Sequence, residues 1–333
     1  MPNISSVSEF FLLAFADKRE LQLLHFVLFL GIYLAALLGN GLILTAVACD
    51  HCLHTPTYFF LLNLTLLDLG SISTTLPKAM ANSLWDTRVI SYEGCVAQVF
   101  FLVVFFGSEY SLLITMAYDR YVAICHPLYY GSLLGSRACA QMAAGAWGSG
   151  FLNAVLHTAS TFYLPLCQAN AVDQFFCEIP QILKLSCSDA YLREGRLIMF
   201  SASLTIVCFV FIVVSYVQIF RAVLRMPSEQ GWHKAFSMCL PHLIFRAVLR
   251  IPSQQGRQKA FSTCLPHLAV VSLFLSTIIF AHLKPPSISS SSLDVVLAFL
   301  YLVVPPVMNP FIYSMRNKEI KVAMWKVMTG CFS

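Results

Sequence analysis

Seven long apolar runs constrain this chain more than any other feature of its sequence. They cover residues 26–48, 57–76, 96–118, 138–166, 197–220, 265–283 and 295–315. Each is near the ~20 residues that a helix needs to cross a bilayer, and the fourth is long enough to tilt or to run on into a loop. In lipid every backbone polar group must find its partner inside the protein, which leaves helices and closed barrels. Barrel strands are short and alternate in polarity, and these runs do neither. The expectation is an all-α fold, a seven-transmembrane helix bundle. Composition agrees: hydrophobic residues make up 58% of the 333 and charged residues 11%, too apolar for a soluble domain of this size.

Lysine and arginine set the orientation. With the N-terminus outside, 13 of the 21 basic residues fall on the inner side, the usual cytoplasmic excess. Residues 1–25 then form an extracellular N-terminus, 26–315 the membrane domain and 316–333 a cytoplasmic tail. Residues 1–20 carry no basic-then-apolar leader, so the first span is expected to act as its own insertion signal. Asn3 begins the sequon Asn3-Ile4-Ser5 on the outer side, a glycosylation acceptor; the sequon at Asn63 lies inside a span and should stay unmodified. Residues 316–328 read as a short amphipathic C-terminal helix on the inner leaflet. No basic run of the kind that binds nucleic acid is present.

A tandem duplication falls between spans five and six. Residues 219–243 recur as 244–268 with 20 of 25 positions identical. Two copies cannot stack into a solenoid. Only the first follows a span and only the second runs into one, so the third inner loop carries one unit more than the fold needs.

Charges inside spans are costly and point to function. Asp68 in span two and Glu109 in span three are two such carboxylates. They can share a proton, hold a sodium ion through oxygen ligands, or simply hydrogen-bond to neighbours such as Asn40 and Asn309. Cys95, Cys167, Cys177 and Cys187 lie on the outer side, where three disulfide pairings are open to them. At the inner end of span three Asp119 stands beside Arg120. That pair can close in one state and open in another, or be a helix-end arginine reaching for water. Asn309-Pro310 is expected to interrupt the hydrogen bonding of span seven, one turn before Tyr313. No metal-ligand cluster, nucleophile elbow or phosphate loop suggests an enzyme. A transporter would show repeats across its spans, whereas the repeat here sits in a loop.

Four motifs then stand in a telling order: HTPTYFFLLNLTLLDL (54–69), MAYDRYVAIC (116–125), KAFSTCLPHL (259–268) and NPFIYSMRN (309–317). With these the chain resembles odorant receptors of the rhodopsin-like G-protein-coupled class, and the third motif is close to diagnostic. A chain shorter by one 25-residue unit would have about the usual family length. The resemblance implies a plasma-membrane receptor that takes a small lipophilic odorant and activates a stimulatory heterotrimeric G protein, raising cyclic AMP. It implies an inner switch of Asp119, Arg120 and Tyr121, and a second of Asn309, Pro310 and Tyr313. It implies a sodium-linked pair in Asp68 and Glu109, and disulfides Cys95–Cys177 and Cys167–Cys187. By position, the ligand pocket would draw on Leu102, Val103, Phe106, Gly107 and Tyr110 in span three and Phe200 and Leu204 in span five. Ile278, Ile279 and His282 in span six and Tyr301 in span seven complete it. The set is mostly apolar, as a site for small volatile molecules would be.

The chain departs from the family pattern in several places. Thr57 stands where the first motif usually has methionine, a mild change. Leu275 and Ser276 replace a usual Tyr-Gly, His282 a common tyrosine, and Gln174 a frequent histidine. The last weakens any metal site built on Cys177 and Glu178. The duplicated loop is the most serious departure, because a longer loop can obstruct G-protein docking or cause retention in the endoplasmic reticulum.

Overall fold

The structure is a computed structural model that describes residues 8–13, 16, 18–163, 170–186, 191–225, 291–316 and 318–330. The expected sixth span at 265–283 and most of the duplicated segment lie outside the described residues.

Helices dominate, each bounded by local chemistry. α1 (Arg19–Cys49) begins earlier than its apolar run and closes with the Asp50 N–H donating to the Ala46 carbonyl at 3.0 Å. α2 (Pro56–Trp85) opens on a proline, tolerated in a first turn where the N–H has no helical partner, and ends at Asp86 with φ 52°. α3 (Tyr92–Cys125) is capped by Ser91, whose Oγ accepts from the Gly94 N–H at 3.1 Å. At 34 residues it is roughly 50 Å long, so it outruns a hydrocarbon core of ~30 Å at both ends. The one-turn α4 (Tyr130–Leu133) leads into α5 (Ser136–Phe162), and α6 (Ile179–Lys184) precedes α7 (Tyr191–Arg225).

The last span is split. α8 (Ser291–Leu302) and α9 (Val304–Arg316) are separated at Val303, two residues before Pro305, which with Pro306 has no N–H to continue the ladder. Pro310, where the sequence reading expected the hydrogen bonding of the span to be interrupted, lies inside α9. Its missing N–H leaves the Pro306 carbonyl, four residues back, without a helical donor. Asn40 of α1 supplies one at 2.9 Å. Gly39 makes room for this approach: a Cβ there would meet the Pro310 ring at 3.0 Å.

Among the described residues, five stretches are long and apolar enough to cross a membrane: Arg19–Cys49, Pro56–Trp85, Tyr92–Ala123, Gly195–Gln218 and Val295–Ile312. The protein is a multi-pass membrane protein. α5 occupies the place of the fourth expected span with 27 residues, rich in glycine, alanine, serine and threonine. These small residues let it lie close against α3. A Cβ on Gly150 would stand 2.2 Å from Ser108 Oγ and 2.6 Å from the Val104 carbonyl oxygen, the close approach that small residues permit between membrane helices. Asn63, of the in-span sequon, accepts from Trp147 Nε1 of α5 at 3.1 Å.

Large apolar side chains such as Leu34, Leu38, Leu152, Val207 and Val210 are exposed. In water such a surface invites association; in a bilayer it is the lipid face. At one end, the mouth, strand β1 (Glu9–Leu12) pairs antiparallel with β2 (Val89–Ser91) and parallel with β3 (Ala171–Val172). Alternation buries Phe10 and Leu12 against Cys95, Val99 and Ile182. At the opposite end α10 (Lys318–Thr329) is the expected amphipathic helix. It buries Ile320 and Ala323 among Ile43, Val47 and Leu61 and leaves Val322, Trp325 and Met328 exposed.

The α3–α5 contact gives a direct test. Gly150→Val overpacks backbone against backbone, at a cost of about 1–3 kcal/mol, and lowers the thermal midpoint of the solubilised chain. Gly148→Val, where a Cβ meets nothing within 4 Å, should leave it unchanged; equal midpoints for the two variants contradict the packing account.

Candidate functional site

Three groups of side chains lie along the bundle from mouth to tail. At the mouth, the disulfide Cys95–Cys177 ties the loop after β3 to the start of α3. This is one of the two pairings the resemblance implied; Cys167 and Cys187 lie outside the described residues. Because Cys177 is bonded to Cys95, it is not available as a metal ligand. The Cys177 N–H donates to Gln98 Oε1 at 2.8 Å, and Gln98 Nε2 donates to the Thr74 carbonyl at 3.0 Å. One buried amide thus fastens the loop to α3 and α2. The loop carries Phe175 and Phe176 into a cluster with Phe29, Ile72, Leu76, Leu102 and Tyr301. The Tyr301 hydroxyl donates to the Glu178 carboxylate.

The pocket candidates divide on this map. Leu102, Phe106 and Tyr301 converge below the loop, with Phe106 edge-on to Tyr301 at 6.1 Å. Val103 packs instead in the disulfide cluster, and Gly107 faces Gly150. Tyr110 donates to the Thr205 carbonyl of α7 at 2.6 Å. Phe200 and Leu204 are 68% and 55% exposed, which places them on the outer face of α7 and not beside Phe106. Apolar composition marked that helix as a span without saying which face turns inward. Ile278, Ile279 and His282 lie outside the described residues.

Midway down, Asp68 is fully buried. Asn309 Nδ2 reaches both of its carboxylate oxygens at 3.1 Å. Glu109 is also buried. Asn40, weighed as a partner for these carboxylates, donates instead to the Ala36 and Pro306 carbonyls. Pro310 and Tyr313 follow Asn309 on α9. Among the described residues no group of three or more His, Cys, Asp or Glu is placed to hold a metal.

At the tail end Asp119 is 1% exposed. Tyr130 donates to its Oδ1 at 2.8 Å and Thr57 to its Oδ2 at 3.0 Å. Arg120 Nε stands 4.0 Å from the same Oδ2, at the outer limit of an ion pair. Burial, and then the charge of Asp119, push the Tyr130 phenol up from its ordinary pKa, so it stays protonated and keeps donating. Tyr121 bonds His126 at 3.2 Å. Next to Thr57, the Tyr58 hydroxyl donates to Glu319 of α10 at 2.5 Å, and Lys326 pairs with Asp50 at 3.6 Å.

The sequence reading missed Gln98, Tyr130 and the Tyr58–Glu319 contact. The burial of polar groups in apolar segments was the available signal, but their partners are distant in sequence.

A membrane-spanning helix bundle with an aromatic mouth at one end and a buried Asp119 beside Arg120 at the other is the architecture of a multi-pass helical membrane protein. Comparison with known proteins specifies which kind. The family model for olfactory receptors matches residues 29–245 and 241–330. Human olfactory receptor 14A16 is 46% identical over 330 residues, covering 99% of this chain and 98% of the relative. Human olfactory receptor 14C36 is 45% identical over 332 residues, 100% of this chain and 98% of the relative. Human olfactory receptor 14I1 is 46% identical over 332 residues, 100% and 99%. The chain belongs to the olfactory-receptor family, within the G-protein-coupled receptor class, and is not an enzyme.

Gln98 is the hinge pin of the mouth. Gln98→Leu strands the Cys177 N–H, and a buried donor without a partner costs about 1–3 kcal/mol. The expected result is a lower thermal midpoint and faster proteolysis at residues 171–178. Cleavage at the wild-type rate would contradict this assignment.

Proposed function

We propose that the chain is an odorant receptor that binds small, mostly lipophilic molecules at the mouth and activates a stimulatory heterotrimeric G protein, raising cyclic AMP. The observation that carries this reading is the convergence of Leu102, Phe106 and Tyr301 beneath Phe175 and Phe176. It is an apolar floor with one polar contact, Tyr301 to Glu178, as a site for small apolar ligands requires. The mouth, with Asn3 as glycosylation acceptor and a second disulfide Cys167–Cys187, faces outward from the plasma membrane. The tail end, with Asp119, Arg120 and Tyr121, faces the G protein, and Asn309, Pro310 and Tyr313 form a second switch that links the polar centre to it. Ile278, Ile279 and His282 complete the ligand site from span six.

The polar centre suits a sodium ion. Asp68 and Glu109 offer carboxylate oxygens. Ser71 Oγ, buried about one turn from Asp68, has no partner among the described residues. Oxygen donors of this kind are what a hard cation takes. A bound cation would offset the repulsion between the two carboxylates.

A second reading, a receptor-like chain that is retained or silent, rests on the duplication. The two stretches matched by the family model overlap at 241–245, the junction between the copies, which supports one unit being an insertion. Cyclic AMP output and surface staining across an odorant panel test both readings, with the intact chain beside one lacking residues 244–268. Display and response should both improve in the shortened chain. If the two chains respond alike, the duplication is not the obstacle; if both reach the surface and neither responds, the family assignment stands and the ligand lies outside the panel.

A further inference from the structure

We infer that Thr57 is a positioning residue of the tail-end switch: its hydroxyl competes with Arg120 for Asp119 and keeps that ion pair loose. The inference deepens the receptor reading and rests on it for the signalling arm of its test.

The carboxylate of Asp119 is enclosed, its side chain 2% exposed, so water does not complete its hydrogen bonding. Its two oxygens are shared among three donors. Tyr130 takes Oδ1 at 2.8 Å. Thr57 takes Oδ2 at 3.0 Å. Arg120 approaches the same Oδ2 only to 4.0 Å. A charge-assisted contact between arginine and carboxylate ordinarily closes to about 2.7–2.9 Å. Here a neutral hydroxyl has the better position, and the neighbouring guanidinium is left outside it.

The backbone makes this arrangement specific. Thr57 is the second residue of α2, and the Phe59 N–H donates to the Thr55 carbonyl at 3.0 Å, which fixes the first turn. Thr57 lies at the end of α2 that meets α3. Tyr58, the next residue, points elsewhere and holds Glu319 of α10. Two consecutive residues therefore fasten the start of α2 to α3 and to α10 in turn. The methionine expected at position 57 has no hydroxyl to offer. In its place Asp119 would have Tyr130 and Arg120 alone, and the pair would close.

An Arg120 held tightly is less free to leave Asp119 when the tail end opens. Removing the hydroxyl should therefore lower signalling. Thr57→Val keeps the shape and deletes the donor; Thr57→Ser keeps the donor and deletes a methyl; Thr57→Met installs the expected residue. In cells expressing the full chain, normalised to surface staining, Thr57→Val and Thr57→Met should lower ligand-independent cyclic AMP by roughly tenfold to hundredfold, the scale of one hydrogen bond to a charged group. Thr57→Ser should restore it. A damaged fold would not be rescued by serine alone, so the serine variant separates positioning from structure.

A second measurement does not depend on coupling. Infrared spectra of the solubilised full chain with isotope-labelled aspartate report the carboxylate stretch, and Asp119→Asn identifies the band of Asp119. That band should shift in Thr57→Val and stay in place in Thr57→Ser. If it shifts while all chains are silent in cyclic AMP, the placement stands and the coupling reading fails. An unmoved band, or a Thr57→Val chain that signals as much as or more than wild type, overturns the proposal.

Discussion

Where α9 carries Pro310, the backbone lacks a donor in a region that water does not reach, and much of the bundle is organised around that deficit. The Pro306 carbonyl would be left unpaired, at a cost that lipid does nothing to reduce. Asn40 answers it from α1, and Gly39 allows α1 to come close enough. One residue before the proline, Asn309 holds the buried Asp68 of α2 through both oxygens. Three helices are thus joined at mid-depth by two asparagines and one carboxylate.

The seventh span connects that centre to the mouth. α8 carries Tyr301, which contacts both Glu178 and Phe106, and α9 carries Asn309. Between them lies the break at Val303. Whatever moves Tyr301 acts on a helical segment separated from the polar centre by a few residues that lack a continuous ladder. Changes at such breaks are absorbed by a handful of backbone angles while the packed pieces stay rigid. The loop above is held by the disulfide and by Gln98, and Tyr301 joins it through Glu178.

Toward the tail, single contacts fasten neighbouring elements. Thr57 and Tyr130 reach Asp119, Tyr58 reaches Glu319, and Asp50 pairs with Lys326. The amphipathic α10 is held by these polar contacts on one side and by Ile320 and Ala323 on the other. Its exposed Val322, Trp325 and Met328 remain for the membrane surface.

Much of this was legible in the sequence. Apolar run length located the membrane-length helices among the described residues, since hydrocarbon thickness sets a minimum that few other structures meet. The amphipathic pattern of the tail determined α10, and the four motifs determined the family. Contact between Asp68 and Asn309 was readable as one option, because polar groups in such runs need partners. What the sequence left open were choices of face and partner. Phe200 and Leu204 are as apolar as Leu102 and Phe106, yet they stand outside, because in lipid both faces of a helix are apolar and hydropathy carries no direction. The break at Val303 and the donation from Asn40 to Pro306 were decided only when α1 and α9 packed. The same holds for the partners of Asp119: the motif names the arginine beside it, but a carboxylate bonds whichever donors the fold brings nearest, and here those are Thr57 and Tyr130.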